Sequence, residues 1–194
     1  MKTKYIITLI TSIIITAFSY SQETIVNIED KYNLDPYATV LTDEVFYFKD
    51  ANNLLDKYTG TWTFNDGIHY LKIVVTKHLH INRGSGNFDD LIYIKTEYKL
   101  NGEEKYNTSG GIGGNDIVSN NTVEVNYYEP SLTSCYRRKQ GNLQLEYSVN
   151  SSSIEQLIWT RTNIVTEGWS ECPNGSAIDN SEFLIPANLV LTKQ

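Results

Sequence analysis

The chain has 194 residues, 40% of them hydrophobic and 12% aromatic, with 14 tyrosines; 16 Lys and Arg stand against 23 Asp and Glu, for a net charge of −7. An acidic chain repels phosphate backbones, which excludes nucleic acid as a partner, and no run of basic residues suits an anionic membrane surface. The length suits one domain with a core of its own.

The first stretch, MKTKYIITLITSIIITAFSYSQ, opens on Lys2 and Lys4 and continues through an apolar and hydroxylated run from Tyr5 to Phe18. That run is shorter than the roughly 20 residues needed to cross a bilayer. Small residues at Ser19 and Ser21 sit where signal peptidase reads them, ahead of a cut between Ser21 and Gln22. Residues 1–21 are therefore expected to be a secretory signal peptide, and the protein to be exported to the periplasm or beyond the cell, with no membrane insertion of the mature chain. No cysteine stands near the cut to carry a lipid. Cys135 and Cys172 remain after cleavage, and in an oxidising compartment two cysteines are expected to form one disulfide.

Residues 22–45 lack periodicity and read as an extended arm, with one edge strand around Thr24 to Ile28. In DANNLLDKYTG, Asp50 can cap a helix start, Leu54, Leu55 and Tyr58 share one helical face, and Gly60 can end it. The expectation is a helix of about two turns.

From there strand signals dominate. In HYLKIVVTKHL the odd positions, including Leu71, Ile73 and Val75, are the apolar face. In LIYIKTEYKL it is the even set, Ile92, Ile94, Thr96, Tyr98 and Leu100, with Lys95, Glu97 and Lys99 outside. Asn101-Gly102 reads as a hairpin turn. SGGIGGND (109–116) reads as a glycine-rich loop. TVEVNYYEP aligns Val123, Val125 and Tyr127, and NLQLEYSV aligns Leu143, Leu145, Tyr147 and Val149. Further strands read in SIEQLIWTRTN and NLVLTK. Eight to ten short strands joined by turns describe an all-β antiparallel meander, closed into a barrel or folded as a sandwich.

Gly60-Thr61-Trp62, following the short helix and opening the first strand of the meander, resembles the start of lipocalin-like (calycin) barrels. The resemblance implies a barrel over residues 46–194, with the Trp62 ring plugging one end and a basic residue of the last strand, here Lys193, over it. True lipocalins usually place Arg there. The wider combination of SQETIV, YFKDANNLLDKYTGTW, two late cysteines and a terminal LVLTKQ looks like a family of small secreted Bacteroidota proteins catalogued as a domain of unknown function. That resemblance implies bacterial export and carries no catalytic residue.

The residues themselves offer little catalysis. His69, His78 and His80 lie close in sequence, but His69 falls on the opposite strand face and far from the His78/His80 pair, so we expect no metal site. SGGIGGND lacks the lysine and following helix of a phosphate cradle, no nucleophile elbow appears, and no cofactor is called for. Tyrosine is the unusual signal, an apolar ring with a polar tip. The expectation is a non-enzymatic module whose inward residues Ile73, Val75, Ile94, Tyr98, Val125, Tyr127, Leu145 and Tyr147 hold a small apolar or amphipathic molecule. The alternative is a filled barrel acting as a structural or protein-interaction domain of the cell envelope.

Overall fold

The computed structural model describes residues 23–33, 44–82, 86–129, 139–165 and 183–194. The expected signal segment with Ser21 and Gln22, and both Cys135 and Cys172, lie outside the described residues. The strands are β1 (Thr24–Asn27), β2 (Phe46–Lys49), β3 (Gly60–Asn65), β4 (His69–Asn82), β5 (Phe88–Leu100), β6 (Glu103–Ser119), β7 (Thr122–Glu129), β8 (Lys139–Val149), β9 (Glu155–Val165) and β10 (Asn188–Lys193).

Eight of them, β3 to β10, form the antiparallel order β5-β4-β3-β10-β9-β8-β7-β6, and β6 pairs back onto β5. The ring closes, which decides for a barrel against a sandwich. Alternation sets the register as the sequence suggested. On β5, Ile92, Ile94, Thr96 and Tyr98 are buried while Lys95 and Glu97 are not. Sliding any strand by one residue would turn its charged set inward, so register is strongly specified. Asn101 and Gly102 both take positive φ, +53° and +81°, in the turn between β5 and β6; this is the mirror-image turn whose twist suits a hairpin. At the β3–β4 turn, the Asp66 carboxylate accepts from the amides of Ile68 (2.9 Å) and His69 (2.6 Å).

β1 and β2 are appended outside the ring. β1 runs parallel to β2, and β2 runs parallel to the start of β5 at Phe88 and Asp89. They occupy the flank that β6 vacates, since β6 pairs with β5 only as far as Ile92–Gly114. A 3-10 helix, Ile28–Asn33, follows β1.

Two local expectations fail for physical reasons. The expected two-turn helix is absent: residues 51–55 form turns, followed by a single 3-10 turn over Asp56–Tyr58. Asp50 does cap, its carboxylate accepting from the amides of Leu54 (2.8 Å) and Leu55 (3.0 Å). Asn53, however, sits at φ +56°, and a helix cannot propagate through a left-handed residue. The glycine-rich stretch is also not a loop, because SGGIGGND lies inside the long strand β6. Two of its glycines, Gly113 and Gly114, answer to crowding. A Cβ on Gly113 would stand 2.7 Å from the Tyr93 ring, and one on Gly114 would stand 3.0 Å from the Val125 Cα.

His78 and His80 do not share one outer face, because a register shift interrupts β4 between His78 and Ile81, and His80 takes φ +55°. His78 meets the Tyr93 ring edge-on, while His80 stacks on Phe88 at 4.1 Å and bonds the Glu23 carboxylate. Among the described residues no three His, Cys, Asp or Glu side chains are grouped to hold a metal.

Candidate functional site

The two ends of the barrel differ. At one, Leu55, Tyr58 and Trp62 are fully buried. The Trp62 indole donates from Nε1 to the Tyr58 carbonyl at 2.8 Å. Lys193 pairs with Trp62 across β10 and β3, and its Nζ stands 5.2 Å from the ring centroid. A cation over an indole adds about 0.5–2 kcal/mol. The same ammonium binds the Glu155 carboxylate at 2.9 Å, and that carboxylate accepts from the Tyr147 hydroxyl at 2.7 Å. Those two hydrogen bonds, Lys193 first, hold the Glu155 carboxyl below its usual range. Tyr147 is only half-buried and meets Trp62 edge-on at 6.4 Å, so it belongs with the sealed end rather than with the other seven expected lining residues.

Along the middle, Ile73, Val75, Ile94, Val125 and Leu145 are at most 2% exposed and join Leu71, Ile92, Val123, Leu143 and Leu157 in one apolar cluster. Each such side chain contributes about 1.5–3 kcal/mol through burial. They form the core in which any ligand would have to be seated.

Tyr98 and Tyr127 lead to the opposite end, which is polar inside. Tyr98 stacks on Tyr106 across β5 and β6, with centroids 5.4 Å apart. Its hydroxyl donates to the Leu184 carbonyl (2.8 Å) and lies 2.6 Å from His69 Nδ1. With the Tyr98 proton committed to Leu184, the Nδ1 position of His69 carries the hydrogen in that contact. Tyr127 meets Trp159 edge-on at 5.6 Å and donates to Glu129 at 2.8 Å.

Glu129 is the centre of a clasp. Its carboxylate accepts from the Leu184 amide at 2.5 Å and lies 3.5 Å from Arg161 Nη1. Arg161 in turn donates to the Ile185 carbonyl at 2.7 Å and lies 4.1 Å from the Phe183 ring. Thus a buried ion pair ties residues 183–185, the approach to β10, to the ends of β7 and β9. Burial is the main cause that pushes the Tyr98 phenol up to about 12, with the Glu129 and Asp66 charges adding to it. The same two causes, burial then Glu129, raise Tyr106 and Tyr127 further, although Arg161 partly opposes the shift of Tyr127.

Among the described residues, three fully buried polar atoms of the barrel wall have no hydrogen-bond partner: Thr96 Oγ1, Tyr106 Oη and Trp159 Nε1. Glu129 is near enough to oppose ionisation of Tyr106, yet the geometry of a hydrogen bond is not met. An unsatisfied buried group costs about 1–3 kcal/mol, and natural structures carry few of them.

Of these residues, alternation points to Thr96, Tyr98 and Tyr127 directly. Tyr106, Glu129, Trp159 and Arg161 escape a first reading, yet the signal was present. Glu129 continues the Val123, Val125, Tyr127 register, and Arg161 continues that of Leu157 and Trp159. A charged residue on an inward register marks a buried pair.

A second buried polar cluster lies beyond β6's departure from β5. Asp90 accepts from the Tyr47 hydroxyl (2.6 Å), the Asp50 amide (2.9 Å) and the His80 amide (2.9 Å). Asn115 donates to the Asp89 carboxylate (3.0 Å) and the Asp90 carbonyl (2.8 Å), and Lys31 Nζ reaches Asp89 and Asn115 at 3.1 Å each. These bonds fasten β1, β2 and their 3-10 helix to the barrel. On the outer rim, a cavity of about 330 Å³ lies between the β3–β4 and β5–β6 turns, lined by Ile68, His69, Tyr70 and Lys99 among others.

A family model described as a family of unknown function, DUF6705, matches residues 1–194. No curated protein matches the chain, and no solved structure matches it.

Proposed function

Because the chain belongs to this family of unknown function, DUF6705, its role must be read from its own geometry, and we propose that it is an exported, non-enzymatic barrel that binds a small apolar or amphipathic molecule. The observation that carries this reading is the asymmetry of the two ends. One end is sealed by Trp62, Tyr58 and Leu55. At the other, among the described residues, the segment 183–185 is held through the Glu129–Arg161 clasp, beside aromatic rings and unpaired polar atoms. Orphaned buried groups cost stability and natural structures carry few of them, so several on one stretch of wall support a role beyond stability. Outward positions such as Lys72, Lys95 and Glu97 are polar, which suits a barrel in water. The export part of the reading rests on the sequence of residues 1–21.

The continuous apolar cluster across the middle favours a second reading, in which the barrel is filled and serves the cell envelope as a structural domain. Native mass spectrometry of protein purified from its own host separates the two. The expected result is a small molecule that co-purifies and dissociates on denaturation. A purely apo mass, with no thermal shift across a library of small apolar compounds, would sink the binding reading and leave the filled barrel.

A further inference from the structure

Trp159 Nε1 is a donor and nothing else, and Tyr106 and Thr96 each hold a hydroxyl hydrogen without an acceptor. All three atoms are fully buried. They are connected through ring contacts: Tyr106 stacks on Tyr98, which stands two residues from Thr96 on the same inward face of β5, and Trp159 packs edge-on against Tyr127. The two halves meet at Glu129, which bonds Tyr127 and acts on Tyr106 through its charge. The nearby acceptors already hold other donors, and none of them meets the geometry of a bond to the three atoms. Glu129 is occupied by Tyr127, by the amide of Leu184 and by Arg161, and the Leu184 carbonyl is occupied by Tyr98.

We infer that this stretch of wall is the polar subsite of the barrel, recognising a neutral, compact, mainly apolar molecule through an acceptor oxygen, a carbonyl or a hydroxyl, offered to Trp159 Nε1 and Tyr106 Oη. The inference rests on the binding reading above and specifies its ligand. An acceptor is required by Trp159 Nε1, which can only donate, and the two hydroxyls can donate to it as well. Neutrality is required because Arg161 is already engaged with Glu129, so an anion would enter beside a buried carboxylate with no charge to neutralise it. The rings of Tyr98, Tyr106, Tyr127 and Trp159 supply flat apolar surface for the body of the molecule.

The test uses three probes of one size on the mature chain: acetophenone, ethylbenzene and benzoate. Affinities are followed by calorimetry, and the indole N–H signals by nitrogen-15 correlation spectra. The Trp62 indole, already bonded to the Tyr58 carbonyl, is an internal control. Acetophenone is expected to bind at least about fivefold more tightly than ethylbenzene, since its oxygen adds hydrogen bonds to two donors. It should move the Trp159 indole signal downfield while the Trp62 signal stays. Tyr106→Phe, which keeps the ring and removes only the hydroxyl, should lower acetophenone affinity and leave ethylbenzene unchanged. Trp159→Phe should do the same and identifies the signal. Equal binding of ketone and hydrocarbon, or tightest binding of benzoate, would overturn the acceptor-oxygen inference and leave the binding barrel standing. No binding of any probe at millimolar concentration, with the Trp62 and Trp159 indole signals both unmoved, would overturn the two together.

Discussion

Two buried polar clusters sit in the same barrel, and they are finished differently. Around Asp89, Asp90 and Asn115 the described donors and acceptors meet: Asp90 takes three hydrogen bonds, and Asn115 gives two and receives one from Lys31. Around Tyr106 and Trp159 the Glu129–Arg161 clasp is complete, yet three neighbouring wall atoms are left over. A polar cluster that serves the fold closes on itself, because every open valence in a low-dielectric interior costs stability. A polar cluster that serves a partner from outside stays open at the atoms the partner would take. On the binding reading proposed above, the contrast would separate fastening from recognition, although Asn27 Oδ1 on the appended β1 is left without a partner too.

The sharpest way to break this contrast is to cut the clasp. Glu129→Ala leaves Arg161 buried without its counter-charge and removes the acceptor of Tyr127 and of the Leu184 amide. The expected loss is about 3–5 kcal/mol, read by urea unfolding, and a loss under 1 kcal/mol would mean that the pair is not buried in solution. A matched pair of isosteric substitutions probes the two clusters directly. Asn115→Leu strips partners from Asp89, Asp90 and Lys31 and should cost about 1–3 kcal/mol. Thr96→Val removes a hydroxyl that bonds nothing and should stabilise by about 1 kcal/mol; destabilisation by that change would show that the hydroxyl is satisfied after all. The effect smallest at neutral pH comes from the tyrosines. Tyr98 titrates at about 12 in the folded chain against 10.0 for a free phenol. Above pH 10 the unfolded chain therefore loses a proton that the native chain keeps. Stability present below pH 10 then falls as pH rises toward 12. The phenolate absorbance of Tyr98, isolated by difference against Tyr98→Phe, should rise only near pH 12 or with unfolding.

Much of the barrel is legible in the sequence because a strand's period of two is a local property. Lys95, Glu97 and Lys99 alternate with Ile94, Thr96 and Tyr98, and no tertiary context is needed to see which face is wet. What escapes is decided by contacts between distant segments. The glycines of β6 look like a loop because the ring of Tyr93 that excludes a side chain from Gly113 lies on another strand. Asn53 stops a helix that its neighbours favour, and its left-handed turn is stabilised by bonds back to Asp50. The candidate site was half visible. Tyr98 and Tyr127 follow from alternation, but Glu129 and Arg161 acquire meaning only when ring closure carries the ends of β7 and β9 to the same segment before β10.

The appended pair β1–β2 bears on how molecules of this protein meet one another. Past Gly114, the flank of β5 would present bare amides and carbonyls, a template for strand pairing between molecules. β2 covers that flank at Phe88 and Asp89 and hands the open margin to β1, only four residues long. A chain shorn of residues 23–49 would keep its ring but bare the flank of β5 over residues 88–91, ahead of the point where β6 takes over at Ile92. Its expected fate is self-association through that flank, so the small N-terminal addition covers backbone that would otherwise offer itself to a second molecule.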